Sequence, residues 1–212
     1  MSAEYDLEPI RGLPGDLPEG EHILWQGVPS WKRLARDAFK TRWVAGYFVA
    51  LLLWAAIDGN ASGFVMTLLV GLAGLALLHV LAWLTARATV YTITNRRVVF
   101  RFGIALPKCV NLPMVAISGA GLKRNADGTG DIPLALSGAH RLGYIQFWPH
   151  ARPWKVAEPE PMLRALPNVA DVAALLSDAL IAAIPNGRRV ALAEPALSEL
   201  DMSEPAGALA TA

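Results

Sequence analysis

The pattern of apolar and polar positions changes three times along the chain. Residues 1–21 are polar, acidic and turn-rich. Glu4, Asp6, Glu8, Asp16, Glu19 and Glu21 face a single base, Arg11, and Pro9, Pro14, Gly15, Pro18 and Gly20 punctuate the segment. His22 to Gly27 then reads as one short strand, ended by Pro29. Over residues 31–42 the period becomes helical. Trp31, Leu34, Ala35, Ala38 and Phe39 fall on one face, at i, i+3, i+4, i+7 and i+8. Lys32, Arg33, Arg36, Lys40 and Arg42 fill the rest, opposed by Asp37. A basic amphipathic helix beside an apolar run is expected to lie in a membrane interface, with its aromatic residues toward lipid and its bases toward anionic headgroups. The alternative is a solvated helix packed on its own domain.

Two apolar runs follow. Trp43 to Ile57 carries no charge over about 15 residues, or about 22 Å of helix, short against a hydrocarbon core of about 30 Å. Phe39, with Lys40 and Arg42 snorkelling, would close much of that gap. A polar break runs from Asp58 to Gly63. Phe64 to Ala86 is a second run of about 23 residues, about 34 Å long and sufficient to span alone. The expectation is a two-span helical hairpin, with a re-entrant first segment as its competitor. Bases flank both outer ends (Lys32 to Arg42 before, Arg87 to Arg101 after) and none lies in the connecting turn. The positive-inside rule therefore puts both chain ends in the cytoplasm, as in a multi-pass protein of a bacterial inner membrane.

From residue 88 the period switches to two. Val90, Thr92 and Thr94 point one way, and Tyr91, Ile93 and Asn95 the other. Val98, Phe100 and Phe102 likewise oppose Arg97, Val99 and Arg101. This predicts a β-hairpin with one wet face, ended by Gly103. Further strands are predicted at 108–112, 114–124, 130–137 and 143–149, which together suggest a small antiparallel sandwich or barrel. Residues 149–161 hold four prolines and read as extended. Residues 168–184 predict a helix with Asn168 as cap and Val172, Leu175, Leu176, Ala179, Leu180 and Ala183 as its apolar stripe. Pro185-Asn186-Gly187 would stop it, and an Ala/Pro/Glu-rich tail follows.

Composition narrows the function classes. Charged residues make up 17 % of the chain, against about 25 % in typical soluble domains, which fits a part that lives in lipid. A net charge of +1 gives no support to a nucleic-acid partner. One cysteine, Cys109, excludes a disulfide framework and a zinc cluster. The four histidines (His22, His79, His140 and His150) lie far apart, and no nucleophile elbow is present, so no enzyme is expected.

The order of elements resembles bacterial membrane proteins that carry a pleckstrin-homology-like (PH-like) domain. Gly20-Glu-His-Ile-Leu-Trp-Gln-Gly27 before the spans and Tyr91-Thr-Ile-Thr-Asn-Arg-Arg97 after them carry that likeness. Over about residues 5–185 the chain resembles, more narrowly, the photosynthetic-complex assembly proteins of purple bacteria, encoded beside the reaction-centre H subunit. Tyr5 to Gly15, Leu24 to Gly27, Tyr91 to Gly103, Asp127 to Ile132, Phe147-Trp-Pro-His-Ala-Arg-Pro-Trp154 and Pro159-Glu-Pro-Met-Leu-Arg164 carry this second likeness. The fold expected is an α+β membrane protein. An acidic segment with one strand (1–30) leads to a basic interfacial helix (31–42) and a transmembrane hairpin (43–86). A cytoplasmic PH-like β-barrel or sandwich capped by a helix (88–185) follows, then a flexible tail (186–212). The resemblance implies a non-enzymatic factor of the photosynthetic membrane that helps assemble the reaction centre and core light-harvesting antenna, with their subunits and lipids as partners. A generic membrane-anchored PH-like module is the rival reading.

Several residues are candidates for function. His79, inside the second apolar run, could ligate the magnesium of a bacteriochlorophyll, or make a structural or interhelical hydrogen bond. Antenna helices place a small residue four positions before such a histidine, and here Leu75 stands there. Trp148, Pro149, His150, Arg152 and Trp154 form a candidate protein-binding patch, or else staple the last helix to the barrel with one tryptophan buried. Trp31, Lys32, Arg33, Arg36, Phe39, Lys40, Arg42 and Arg87 are the candidate membrane-surface residues. Arg96, Arg97, Arg101, Lys123 and Arg124 could form a basic face, or a solvated strand edge. Gly46 with Ala50, and Ala82 with Ala86, have the small-xxx-small spacing of close helix packing, within the hairpin or in a homodimer. Asn125-Ala-Asp-Gly-Thr-Gly130 reads as a hairpin turn rather than a calcium loop.

Overall fold

A computed structural model describes residues 12, 13, 15–137 and 143–183. The sequence predictions for residues 1–11, His140 and 186–212 lie outside these. Strand β1 (Ile23–Gly27) leads into the short helix α1 (Trp31–Asp37), then α2 (Thr41–Ile57) and the long α3 (Ala61–Ala88). Strands β2 (Val90–Thr94), β3 (Arg97–Phe102) and β4 (Lys108–Pro113) follow. A 3₁₀ turn at Met114–Ala116 then precedes β5 (Ile117–Ala120), β6 (Lys123–Arg124) and β7 (Gly130–Leu136). The chain continues through a single helical turn α4 (Tyr144–Phe147), β8 (Met162–Leu166) and helix α5 (Val169–Ala183).

The helices break where the backbone demands it. The basic helix ends at Asp37, short of the predicted Arg42. Lys40 then adopts a left-handed conformation (φ 53°), and α2 leaves at 56° to α1. After α2, Gly59 turns the chain with φ 67°, and Asn60 caps α3 by accepting from the Gly63 amide at 2.9 Å. Helix α3 has 28 residues, about 42 Å of rise, and is long and apolar enough to cross a membrane. Helix α2 has 17 residues and packs along it, with the Phe48 ring lying on Gly71. Outward from the pair point Trp43, Tyr47, Trp54, Ile57, Leu69 and Leu77, all exposed. Apolar positions thus surround both helices instead of forming one stripe.

Beyond the helices lie two antiparallel sheets with a common core. The first runs β1-β2-β3-β4. In the second, β5, β6 and β8 all pair with β7. The two sheets do not close into a barrel. Tyr91, Ile93, Val98 and Phe100 from the first sheet meet Ile132, Leu134, Leu163 and Leu166 from the second. Val169, Val172, Leu176 and Leu180 of α5 complete this core. The predicted stripe is therefore the packed face, with Leu175 and Ala183 at its margin. Asn168 stands with φ 50°, and its backbone carbonyl accepts from Asp171 and Val172.

Four expectations need correction. First, the β2–β3 hairpin has no wet face, because the segment before β1 covers it. Every residue of β2 is buried, Gly12 lies against Val90, and Gln26 Nε2 donates to Thr92 at 2.9 Å. Second, residues 143–149 form the turn α4 rather than a strand. Third, 114–124 is divided into the 3₁₀ turn, β5 and β6, and β8 went unpredicted because both its faces are buried and it shows no alternation. Fourth, the sheet domain begins before residue 88. Strand β1 pairs with β2, Trp25 opposite Ile93 and Gly27 opposite Tyr91, so the two long helices are an insertion between neighbouring strands.

Candidate functional site

A cluster of buried polar groups sits where the helices meet the sheets. Thr89 follows α3 directly, and its hydroxyl donates to the Thr85 carbonyl at 2.7 Å. One residue later Tyr91 enters the core, fully buried. His150 lies between them, 0 % exposed, with Nδ1 2.7 Å from the Tyr91 hydroxyl and Nε2 3.2 Å from Thr89 Oγ1. The Arg164 backbone amide donates to the same Tyr91 oxygen at 3.2 Å. Each donor therefore finds one acceptor if His150 is neutral and protonated on Nε2. Burial, reinforced by the nearby Arg164 cation, pushes the His150 pKa down to about 3. Burial likewise raises the Tyr91 phenol well above its ordinary range. The rings of Phe102 and Tyr91 flank the imidazole at 5.4 and 5.7 Å. His150 is thus a core residue, which corrects its assignment to a protein-binding patch.

Arg164 is the buried joint residue that periodicity did not single out. Its Nη1 donates to the Pro149 carbonyl at 2.7 Å and its Nη2 to the Asp37 carbonyl at 3.4 Å. Nε has no hydrogen-bond partner among the described residues, although the side chain is buried. The guanidinium ties α1, the tryptophan-proline segment and β8 together at one point. A lone base within Met162-Leu-Arg-Ala-Leu166 was the available signal, since a charge inside an apolar run needs buried partners.

The remaining patch residues separate. Trp148 is half-exposed, its ring 5.3 Å from Phe39 in an edge-to-face contact, and Pro149 follows through a cis peptide bond. Arg152 and Lys155 both grip Glu160, at 2.8 and 2.5 Å, and hold its carboxyl below the usual range. Trp154 is 95 % exposed. Neither tryptophan is buried, and His150 fastens this segment to Thr89 and Tyr91.

The membrane-surface candidates also divide. Leu34 and Ala35, in the middle of the α1 stripe, are buried, and Leu34 packs with Ala86 and Ala165. The middle of the stripe therefore faces the protein's own core, which corrects the interfacial reading there, while Trp31 at its start stays exposed. Arg33 is held by Asp37 at 2.7 Å and Asp127 at 3.2 Å, so it binds α1 to the β6–β7 turn. That turn is closed by Asp127 accepting from the Thr129 amide and hydroxyl, contacts that lower the Asp127 pKa, hydroxyl first. Trp31, Lys32, Lys40 and Arg42 are exposed and Arg36 and Phe39 partly so, all around the root of the helix pair. Arg87 stacks over Trp83 at 5.4 Å on the last turns of α3.

The five strand bases do not share one face. Arg97 is drawn to the buried Glu21 carboxylate at 2.8 Å and Arg101 is buried, while Arg96, Lys123 and Arg124 are exposed. The small-residue pairs part company as well. Ala82 and Ala86 are buried beneath α1, whereas Gly46 and Ala50 are exposed on the outer surface of α2 and take no part in packing the hairpin. His79 sits exposed on α3 and donates from Nδ1 to the Leu75 carbonyl at 2.8 Å, which leaves Nε2 as a lone-pair donor facing outward. No group of three metal-ligating side chains occurs among the described residues.

Comparison with known proteins agrees with this architecture. A protein of Rhodobacter capsulatus described as "Uncharacterized 23.7 kDa protein in puhA 5'region" is 38 % identical over 211 residues, covering 95 % of this chain and 98 % of its own. No solved structure gives a significant match. The family described as "Bacterial PH domain" matches residues 40–180, which takes in the long helices, strands β2 to β8 and most of α5. The chain belongs to the bacterial PH domain family.

Proposed function

We propose that this protein is a non-enzymatic membrane assembly factor for the photosynthetic reaction centre and its core light-harvesting complex. Its helix pair would span the inner membrane twice and leave the sheet domain on the cytoplasmic side as a scaffold for incoming subunits. The observation that carries this reading is the near full-length similarity to a protein whose description places it in the puhA 5' region. The architecture supports a scaffold: the buried Thr89, His150 and Arg164 join helices to sheets, and the helix pair exposes a broad apolar surface. A near-infrared absorbance spectrum of membranes from a clean deletion strain, beside its complemented control, tests the proposal. Loss of reaction-centre bands, alone or with the core antenna bands, is expected. An unchanged spectrum rejects it and leaves a generic membrane-anchored PH-domain module.

A second reading has one observation in its favour. The outward Nε2 of His79, with its tautomer set by Leu75, is suited to ligate the magnesium of a bacteriochlorophyll. Purified wild-type protein would then carry pigment that His79→Ala protein lacks, and pigment-free wild type ends this reading.

A further inference from the structure

The exposed apolar side chains of the sheet domain are gathered at one end. Strand β2 starts two residues after α3, and Val90 pairs with Arg101, so the end of β3 lies beside the end of α3. The β3–β4 turn beyond it carries Ile104 and Leu106, 50 % and 77 % exposed. Phe102 at the same end packs on Phe147 of α4, which places the exposed Ile145 there too. Trp148 joins this rim through Phe39, and Trp154 stands on the strap that leaves His150. Trp31 opens α1 on the return from β1. Outside the two long helices, the other large exposed apolar side chains among the described residues are Val28, which follows β1, Val156 on the strap, Val115 and Ile181.

We infer that this rim is a second membrane contact, in which Trp31, Ile104, Leu106, Ile145, Trp148 and Trp154 enter the headgroup region around the root of the hairpin. The inference rests on the reading of that hairpin as membrane-spanning. Three observations favour a lipid surface over a protein partner. The rim is continuous with the apolar surface of α2 and α3. Lys32, Lys40, Arg42 and Arg87 ring the same root and suit anionic headgroups. Of the two acids on the strap, Glu158 is exposed and Glu160 is already neutralised by Arg152 and Lys155. Tryptophan and aliphatic side chains at such a level bury about 5–10 Å into the interface. The domain would then lie flat against the bilayer and not hang from a flexible tether.

The test uses the full chain in vesicles of phosphatidylcholine and phosphatidylglycerol. With Cys109→Ser as background, an environment-sensitive fluorophore is attached to Leu106→Cys, Ile145→Cys or Trp154→Cys. Val115→Cys at the far end and Leu69→Cys in the middle of α3 are the references. All five positions are exposed, so the labelled chains are expected to fold. The expected result is that the three rim probes are quenched by shallow spin-labelled lipid and are several-fold less accessible to aqueous iodide than the Val115→Cys probe. Rim probes as open to iodide as that reference, with the Leu69→Cys probe quenched by lipid, overturn the rim contact alone. Rim probes shielded from iodide yet untouched by labelled lipid overturn it in favour of a protein cover. A Leu69→Cys probe that lipid does not quench overturns the membrane reading itself, and the rim contact with it.

Discussion

The Tyr91 hydroxyl donates to His150 Nδ1 at 2.7 Å, and that bond joins β2 to a buried histidine at the foot of α3. The chain continues from His150 Nε2–H to the Thr89 hydroxyl and on to the Thr85 carbonyl. One polarised run of hydrogen bonds thus connects the sheet core to the last turn of the long helix. Such networks are strong when every member is satisfied and weak when one is removed.

Acid should loosen this joint. Folded His150 keeps a pKa of about 3, whereas the unfolded side chain titrates near 6.5. Between those values the unfolded chain binds a proton that the folded chain refuses, so stability falls as pH drops below about 6.5. The slope approaches about 1.4 kcal/mol per pH unit, or about 2 kcal/mol lost by pH 5. Thermal midpoints of detergent-solubilised protein between pH 7 and 5 check this, and a flat profile contradicts it.

Removing the Tyr91 hydroxyl leaves His150 Nδ1 and the Arg164 amide without their common partner in a buried site. Tyr91→Phe should cost about 1–3 kcal/mol although the ring still fits its place beside Phe100. Chemical denaturation of the variant reads the loss. An unchanged midpoint would mean that water replaces the hydroxyl.

Glycines on the two long helices should respond oppositely to enlargement. A side chain at Gly71 meets the Phe48 ring within 2.9 Å, so Gly71→Leu should wedge the helices apart at about 1–3 kcal/mol. A side chain at Gly46 meets nothing, so Gly46→Leu should leave the monomer's melting unchanged. If Gly46→Leu lowers an oligomer to a monomer by light scattering, then Gly46 and Ala50 mark a contact between copies.

A fragment of residues 88–183 lacks β1 and leaves one edge of β2 unpaired, along with its Thr92 and Thr94 face. It should show no cooperative unfolding transition. Joining residues 12–30 to that fragment by a flexible linker should restore one. Cooperative folding of the short fragment would show that β1 is dispensable.

What the sequence made legible was whatever local periodicity encodes. The helix from Val169, the apolar runs around Phe48 and Gly71, and the alternation from Val90 to Phe102 could all be read from neighbours a few positions apart. What it hid depends on contacts far along the chain. His150 sits among prolines and tryptophans that read as surface, yet its partners Thr89 and Tyr91 lie about sixty residues earlier. Strand β8 lacks alternation because both faces are covered. Helix α1 has a stripe whose chemistry suits lipid as well as protein, and only the position of Ala86 and Ala165 decides between them.

The pairing of β1 with β2 also constrains how the chain can be threaded during synthesis. Gly27 and Tyr91 are opposite one another in a single sheet, so they must finish in the same compartment. Any excursion through a bilayer between them must have even parity: the chain that goes out has to come back. A single crossing by α3 alone would strand β1 and β2 on opposite sides and leave the sheet unbuildable. Strand β1 leaves the ribosome first and must wait, unpaired, until both long helices have emerged. For a chain whose helices enter a bilayer, completion of the sheet thereby becomes a proofreading step on topology, open only when they enter as a returning pair.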